Sequence, residues 1–303
     1  MLEAKVAVAQ LELHPGQCEE NRTRILQAIA AAARRGADLV VLPELATSGY
    51  RLTDWHQAHA VAESIPGHTT ELWCEQAALN GCFIIGGICE REDQRLYNSV
   101  AVVGPDGVLA RYRKLHLFDE ERLLFEPGNA GLPVVNLPFG RVGVVVCYDL
   151  RFPEALRILA LRGADLVAVP TAWAPGFDRT PPPDGIIDQV KAAAVQANLN
   201  QVFIAAASRV GADGDLPYLG SSVIIDPHGR FMVGPASKDE ETVEVVELDL
   251  AEARRAKVRA PLITPLADRR TDVYSADLGY AGDPPQAYPA PRVVDTSAVA
   301  TET

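Results

Sequence analysis

The chain has 303 residues, 48% of them hydrophobic, which is ample for a large buried core. Its formal charge of −12 argues against a nucleic-acid or anionic-membrane partner, since both select a basic face. The 5 cysteines, odd in number and without CxxC spacing, suggest neither a disulfide framework nor a zinc ribbon, and a reducing cytoplasm is the simplest setting.

The opening run, "MLEAKVAVAQLELHPG", alternates around Glu3 and Lys5 and reads as a strand rather than a signal or transmembrane segment. A helix is predicted over "NRTRILQAIAAAARRG", then a buried strand, "ADLVVLPE", that runs into Pro43 and Glu44. The helix "TTELWCEQAALNG" leads to the strand "GCFIIGG", and a hairpin turns on "GPDG". In "RYRKLHLF", Arg111 and Arg113 alternate with Tyr112 and Lys114, so one face would carry a cation inward; alone, the run reads as a solvated basic edge strand. The acidic patch Asp119, Glu120 and Glu121 would by itself be an exposed loop.

The stretch "GRVGVVVCYDLRFPE" reads as a buried strand ending on Cys147, with Pro153 and Glu154 opening a helix. After it come the helix "PEALRILALRG", the strand "ADLVAVPT", the helix "GIIDQVKAAAVQANLN", the strand "QVFIAAA" and a hairpin on "DPHG". Beyond residue 250, "AEARRAKVRAPL" reads as a short charged helix and "DVYSADLGY" as a last extended segment. Residues 1–283 are expected to form one domain and residues 284–303 a Pro-rich, poorly ordered tail.

The chain also repeats itself. "RRGADLVVLPE" at 34–44 recurs as "LRGADLVAVPT" at 161–171, and "KVAVAQLELHP" at 5–15 resembles "RVGVVVCYDLRFP" at 141–153. "GCFIIGG" is echoed by "QVFIAAA", and the first hairpin by the second. Four echoes in one order predict an α/β domain of two similar halves, each with its own sheet. In parallel α/β sheets the ligand crevice lies outside the carboxyl ends of the strands. Glu44 and Cys147 stand at such ends in opposite halves, so packing about a pseudo-twofold axis would bring both to one cleft. Alone, Glu44 reads as a capping or solvated carboxylate; after a buried strand and a proline it is a candidate desolvated base. Cys74, Cys82 and Cys89 read as small core hydrophobes. His56 and His59 have no matching partners, so no metal is expected, and His116 reads as a hydrogen-bonded structural residue.

Three separated segments, "VVLPELATSGY", "RKLHLF" and "GVVVCYDLRFPE", resemble in this order the glutamate, lysine and cysteine motifs of the nitrilase superfamily of carbon–nitrogen hydrolases. The resemblance spans residues 4–250 and implies a four-layer α-β-β-α sandwich with two pseudo-symmetric halves. Its triad falls on Glu44, Lys114 and Cys147. The second glutamate of the family matches Glu121 in "ERLLFEPG", with Glu120 and Glu126 as neighbours. The implied chemistry is hydrolysis of a carboxamide through a cysteine thioester, with Glu44 as general base and acid and Lys114 facing the oxyanion. A lysine ammonium near the cysteine would favour thiolate. No cofactor is implied; the partner is a small-molecule amide, and members commonly form homodimers or larger homo-oligomers.

Tyr50, Tyr148 and Trp173 are candidate substrate-binding residues. Nitrilases proper usually carry Cys-Trp-Glu, whereas Cys147-Tyr148-Asp149 resembles the amidase branches, with "LRFPE" close to the ω-amidase-like enzymes. One departure is Gln196-Ala197-Asn198-Leu199-Asn200, where those enzymes carry Arg-Ala-x-Glu-Asn. The expected activity is therefore an amidase for neutral monoamides, with an N-carbamoyl amide hydrolase, an ω-amidase-like enzyme or a nitrilase as alternatives. From other classes, a thiol acyltransferase or a non-catalytic binding protein stays open. The Pro-rich stretch 175–185 would shape the acyl pocket or act as a stiff connection.

Overall fold

A computed structural model describes residues 2–176 and 184–278. Residues 177–183 of the Pro-rich stretch and the tail 284–303 lie outside the described residues. The first half runs β1 (Glu3–Glu12), α1 (Cys18–Arg34), β2 (Leu39–Val41), α2 (Trp55–Val61), α3 (His68–Asn80), β3 (Phe83–Glu92), β4 (Arg95–Gly104) and β5 (Gly107–Arg113). After the short α4 (Glu121–Leu124), the second half runs β6 (Val134–Leu137), β7 (Gly140–Val144), α5 (Pro153–Leu161), β8 (Leu166–Pro170), α6 (Asp188–Asn200) and β9 (Phe203–Ala207). Three two-residue strands follow, β10 (Arg209–Val210), β11 (Ala212–Asp213) and β12 (Leu216–Pro217). The chain closes with β13 (Val223–Ile225), β14 (Phe231–Val233), β15 (Thr242–Asp249), α7 (Ala251–Ala256) and α8 (Thr271–Asp277).

The pairing carries the repeat. In one sheet β1, β2 and β3 are parallel and continue into the antiparallel β4 and β5, while β15 runs antiparallel along β1. In the other β7, β8 and β9 are parallel and continue into the antiparallel β13 and β14, while β6 runs antiparallel along β7. Each parallel core therefore has an antiparallel strand on one flank and a hairpin on the other.

Strand alternation assigns the layers. Val6 and Val8 of β1, Leu39 and Val41 of β2, and Ile85 of β3 join the cluster built with β7, β8 and β9. Their neighbours Ala7, Ala9, Val40 and Leu42 pack the other way, onto Ile25, Ala28 and Ile29 of α1 and Trp73 and Ala77 of α3. On the second sheet, Leu156 and Leu159 of α5 and Val190, Ala193 and Ala197 of α6 supply the helical cover. The order is helix, sheet, sheet, helix.

Three features depart from the sequence expectation. Helix α2 interrupts the first half, and β15 adds a strand to the edge of β1. "DVYSADLGY" is helical through Asp277, not extended. Residues 271–274 are exposed and meet no strand edge, so a helix pairs its own backbone groups: Tyr274 N donates to Arg270 O at 3.1 Å and Leu278 N to Tyr274 O at 3.0 Å. Asp272 in the first turn suits the positive end of that helix. Among the described residues no helix is long and apolar enough to cross a membrane.

Candidate active site

The β2 strand delivers Glu44 to the carboxyl end of the first sheet, where its side chain is fully buried. Its backbone N–H donates to Thr171 O at 3.3 Å, so the two pseudo-equivalent strand ends touch. Gly87 of β3 clasps the same turn: its N–H donates to Pro43 O at 3.0 Å and its carbonyl accepts from Ala46 N at 2.9 Å. A Cβ at position 87 would stand 2.3 Å from Leu45 N, so glycine is required where β3 passes Glu44. Glu44 Oε1 accepts from Lys114 Nζ at 2.7 Å and Asn98 Nδ2 at 2.8 Å. Its other oxygen, Oε2, is buried without a hydrogen-bond partner.

Lys114 follows β5. Its N–H donates to Asn98 O at 2.8 Å, and its carbonyl accepts from Gly128 N at 2.8 Å. Here too a side chain is excluded, because a Cβ on Gly128 would lie 2.0 Å from Arg113 O. The ammonium also meets Glu121 Oε1 at 2.7 Å. Glu121 accepts further bonds from Tyr50 Oη at 2.6 Å and Phe118 N at 3.2 Å. In the acidic run only Glu121 turns inward; Asp119 and Glu120 are exposed. The four-residue α4 makes the difference, since it puts one carboxylate of the run under the lysine. Burial alone would lower the Lys114 pKa, but Glu121 and Glu44 outweigh it and hold the ammonium well above its ordinary value. Burial raises the Glu121 carboxyl against the opposing pull of Lys114.

Cys147 leaves β7 in a left-handed backbone conformation, φ +41°, which is strained for a side-chain-bearing residue. A short 3-10 turn, Cys147–Arg151, follows. Asp149, fully buried, pins that turn. Its carboxylate accepts from Val146 N at 3.0 Å, Tyr112 Oη at 2.6 Å and His116 N at 3.0 Å, and lies 2.7 Å from His116 Nδ1. The His116 ring stacks on Phe152 with centroids 3.5 Å apart. One carboxylate thus fastens the lysine segment of one half to the cysteine turn of the other. Burial and then Glu44 push the Cys147 thiol far above its usual range, and Lys114, the Thr171 hydroxyl and the Ala172 backbone pull it back only in part. The lysine effect expected from the sequence is present but outweighed.

Of the pocket candidates, Tyr148 and Trp173 line a cavity of about 30 Å³ with Cys147, together with Phe118, Leu150 and Gln189. Tyr50 lies instead on the Glu121 side, in a cavity of about 170 Å³ shared with Phe118 and Phe125. Gln196, where the resemblance breaks, is buried and donates to Leu150 O at 3.4 Å, bracing the cysteine turn. Sequence reasoning missed Asn98, Asp149 as a clamp, and Thr171. The repeat alone pointed to Thr171, as the counterpart of Glu44.

A buried carboxylate and ammonium and a half-buried thiol thus stand at facing strand ends of an α-β-β-α sandwich. The carbon-nitrogen hydrolase family pattern matches residues 5–258. A nitrilase from Pyrococcus abyssi is 36% identical over 275 residues, covering 89% of this chain and 98% of that protein. Omega-amidase NIT2-A from Xenopus laevis is 34% identical over 290 residues, with 91% and 99% covered. An (R)-stereoselective amidase from a Pseudomonas species is 35% identical, with 84% and 88% covered. Among solved structures, a nitrilase-superfamily amidase from Nesterenkonia sp. AN1 superposes with a TM-score of 0.72 at 26% identity, covering 90% of this chain and 96% of that one. The chain belongs to the carbon–nitrogen hydrolase family, in the nitrilase superfamily, whose members act on carbon–nitrogen bonds other than peptide bonds.

Proposed function

We propose that the protein is an amidase that hydrolyses small neutral carboxamides to acid and ammonia through a thioester on Cys147. The observation that carries this reading is the split environment of Glu44. One oxygen is saturated by Lys114 and Asn98, the other is buried and unpaired, and the Glu44 charge raises the pKa of the thiol.

As Cys147 Sγ attacks the amide carbon, its proton passes to Glu44 Oε2 and the carbonyl oxygen becomes an oxyanion. The Lys114 ammonium and the Tyr148 N–H stabilise that oxygen; one such donor is typically worth about 3–4 kcal/mol. Collapse breaks the C–N bond, Glu44 returns the proton to the departing nitrogen, and ammonia leaves. Glu44 then deprotonates water, which attacks the thioester and releases the acid and the thiol. A raised thiol pKa favours proton transfer to Glu44 along with attack rather than before it. Glu121 and Tyr50 hold Lys114 in place, and Tyr148 and Trp173 wall the acyl side. In a mutant of the Nesterenkonia amidase, the acetamide moiety of fluoroacetamide adds covalently at the active site cysteine, which supports the same role for Cys147.

The test is ammonia release from acetamide, propionamide and butyramide by wild type and C147A, with mass mapping of the trapped adduct. Release abolished in C147A and an acyl adduct on Cys147 are expected. Unchanged release in C147A, or an adduct confined to Cys74, would remove the assignment.

A further inference from the structure

The cavity beside Cys147 is mostly apolar, and the polar side chains in its wall are Tyr148, Arg151 and Gln189. Gln189, in the first turn of α6, is only 7% exposed. Its Nε2 donates to Ala174 O at 3.3 Å. A carbonyl can only accept, so this bond fixes which way the amide faces. The other end, Gln189 Oε1, is buried with no hydrogen-bond partner. A buried acceptor left unpaired carries a desolvation cost that a ligand donor removes.

From this juxtaposition of nucleophile, apolar cavity and one orphaned acceptor, we infer that the acyl group of the preferred substrate carries a hydroxyl that donates to Gln189 Oε1. The inference rests on the amidase reading above and narrows its substrate class. The choice of hydroxyl follows from the neutral substrate class proposed above, which excludes an ammonium as the donor. A carboxylate would bring only acceptors to an acceptor. A hydroxyl donates to Gln189 without bringing a charge into the cavity. A site with a buried polar group discriminates against an analogue that leaves it unpaired, whereas apolar walls barely sense the exchange of methyl for hydroxyl.

The experiment compares kcat/KM within two matched pairs, glycolamide against propionamide and 3-hydroxypropionamide against butyramide, in wild type, Q189L and Q189M. In wild type, at least one hydroxy amide should exceed its methyl counterpart by about tenfold or more. That ratio should fall to about one or below in both variants. Q189M retains side-chain length, so it provides the reading if Q189L is too unstable to assay. A wild-type ratio near one in both pairs, or a hydroxyl preference that survives both substitutions, would overturn the assignment. If no amide releases ammonia above the C147A background, the amidase reading itself fails; hydrolysis with methyl preference removes only the role of Gln189.

Discussion

Two buried ion clusters hang from opposite faces of the same strands. The register pairs Ser99 with Arg113, so Arg113, Ser99 and Glu90 project to the helix-covered side. Asn98 and Lys114, one residue over, project toward the second sheet. In the outer cluster Glu90 accepts from Ser99 at 2.5 Å, Arg111 at 2.6 Å, and Arg113 at 2.9 and 2.6 Å, which employs both its oxygens. Arg113 also reaches Glu92 and Asn129 and lies over the Tyr97 ring. In the inner cluster, one lysine and one asparagine leave Glu44 Oε2 and Asn98 Oδ1 unpaired. A satisfied buried network rigidifies; an incompletely satisfied one persists at a cost that scaffolding alone does not explain. The edge-strand reading of "RYRK" misses both, because each cation is taken into a different layer.

The sharpest way to break this comparison is to remove each cation. K114M leaves Glu44 and Glu121 buried together without their counter-ion, and about 3–5 kcal/mol of stability should be lost. Amide hydrolysis should vanish with it. R113M should also destabilise, by about 3 kcal/mol, yet the folded protein should keep kcat within roughly threefold of wild type. Chemical denaturation together with active-site titration separates the two quantities. A folded R113M without activity would mean that the outer cluster belongs to the site.

A smaller effect tests the neutral partners one residue apart. N98A removes a hydrogen bond to a charged carboxylate, worth about 1.5–3 kcal/mol, so kcat/KM should drop by roughly 10- to 100-fold. S99A removes the corresponding bond in the outer cluster, where two arginines still hold Glu90. It should lower Tm by a few degrees and leave kcat/KM unchanged. Equal kinetic losses in both variants would erase the distinction between the two faces.

What was legible in the sequence divides along the same line. Glu44 and Cys147 could be placed because strand ends and an internal repeat are local signals, and Lys114 because its motif is contiguous. Asn98 and Asp149 could not, since their roles depend on cross-strand register and on packing between sheets. Asp149 stands two residues from Cys147 and acts by reaching back to Val146 N and across to Tyr112 and His116. The inward turn of Glu121, rather than Glu120, depends on four residues of helix. Helix α8 was missed for a different reason: its residues pattern like a strand, but the fold offers them no sheet edge. Gln196 shows the reverse, a departure from family pattern that bears on the cysteine turn instead of the substrate wall.

The subtlest contrast concerns how Glu44 acts on its neighbour compared with Glu90. Glu90 is fully engaged by guanidinium and hydroxyl groups, whereas the Glu44 charge bears directly on a thiol. Burial is the larger reason that the Cys147 pKa is raised, and Glu44 is the next; Lys114 opposes both. A thiol with a raised pKa forms thiolate only above the ordinary range near ~8.5, so in wild type the iodoacetamide reaction at Cys147 should accelerate late on the alkaline side. E44Q removes one negative charge and leaves the Lys114 ammonium, which remains charged through this range because its own pKa is raised. The midpoint for alkylation should therefore fall, by about one pH unit or more, while hydrolysis is lost. Mass mapping of the Cys147 peptide across pH supplies the measurement. A midpoint that stays put or rises would mean that the Glu44 charge does not reach the thiol, and the case for Oε2 as proton acceptor would go with it.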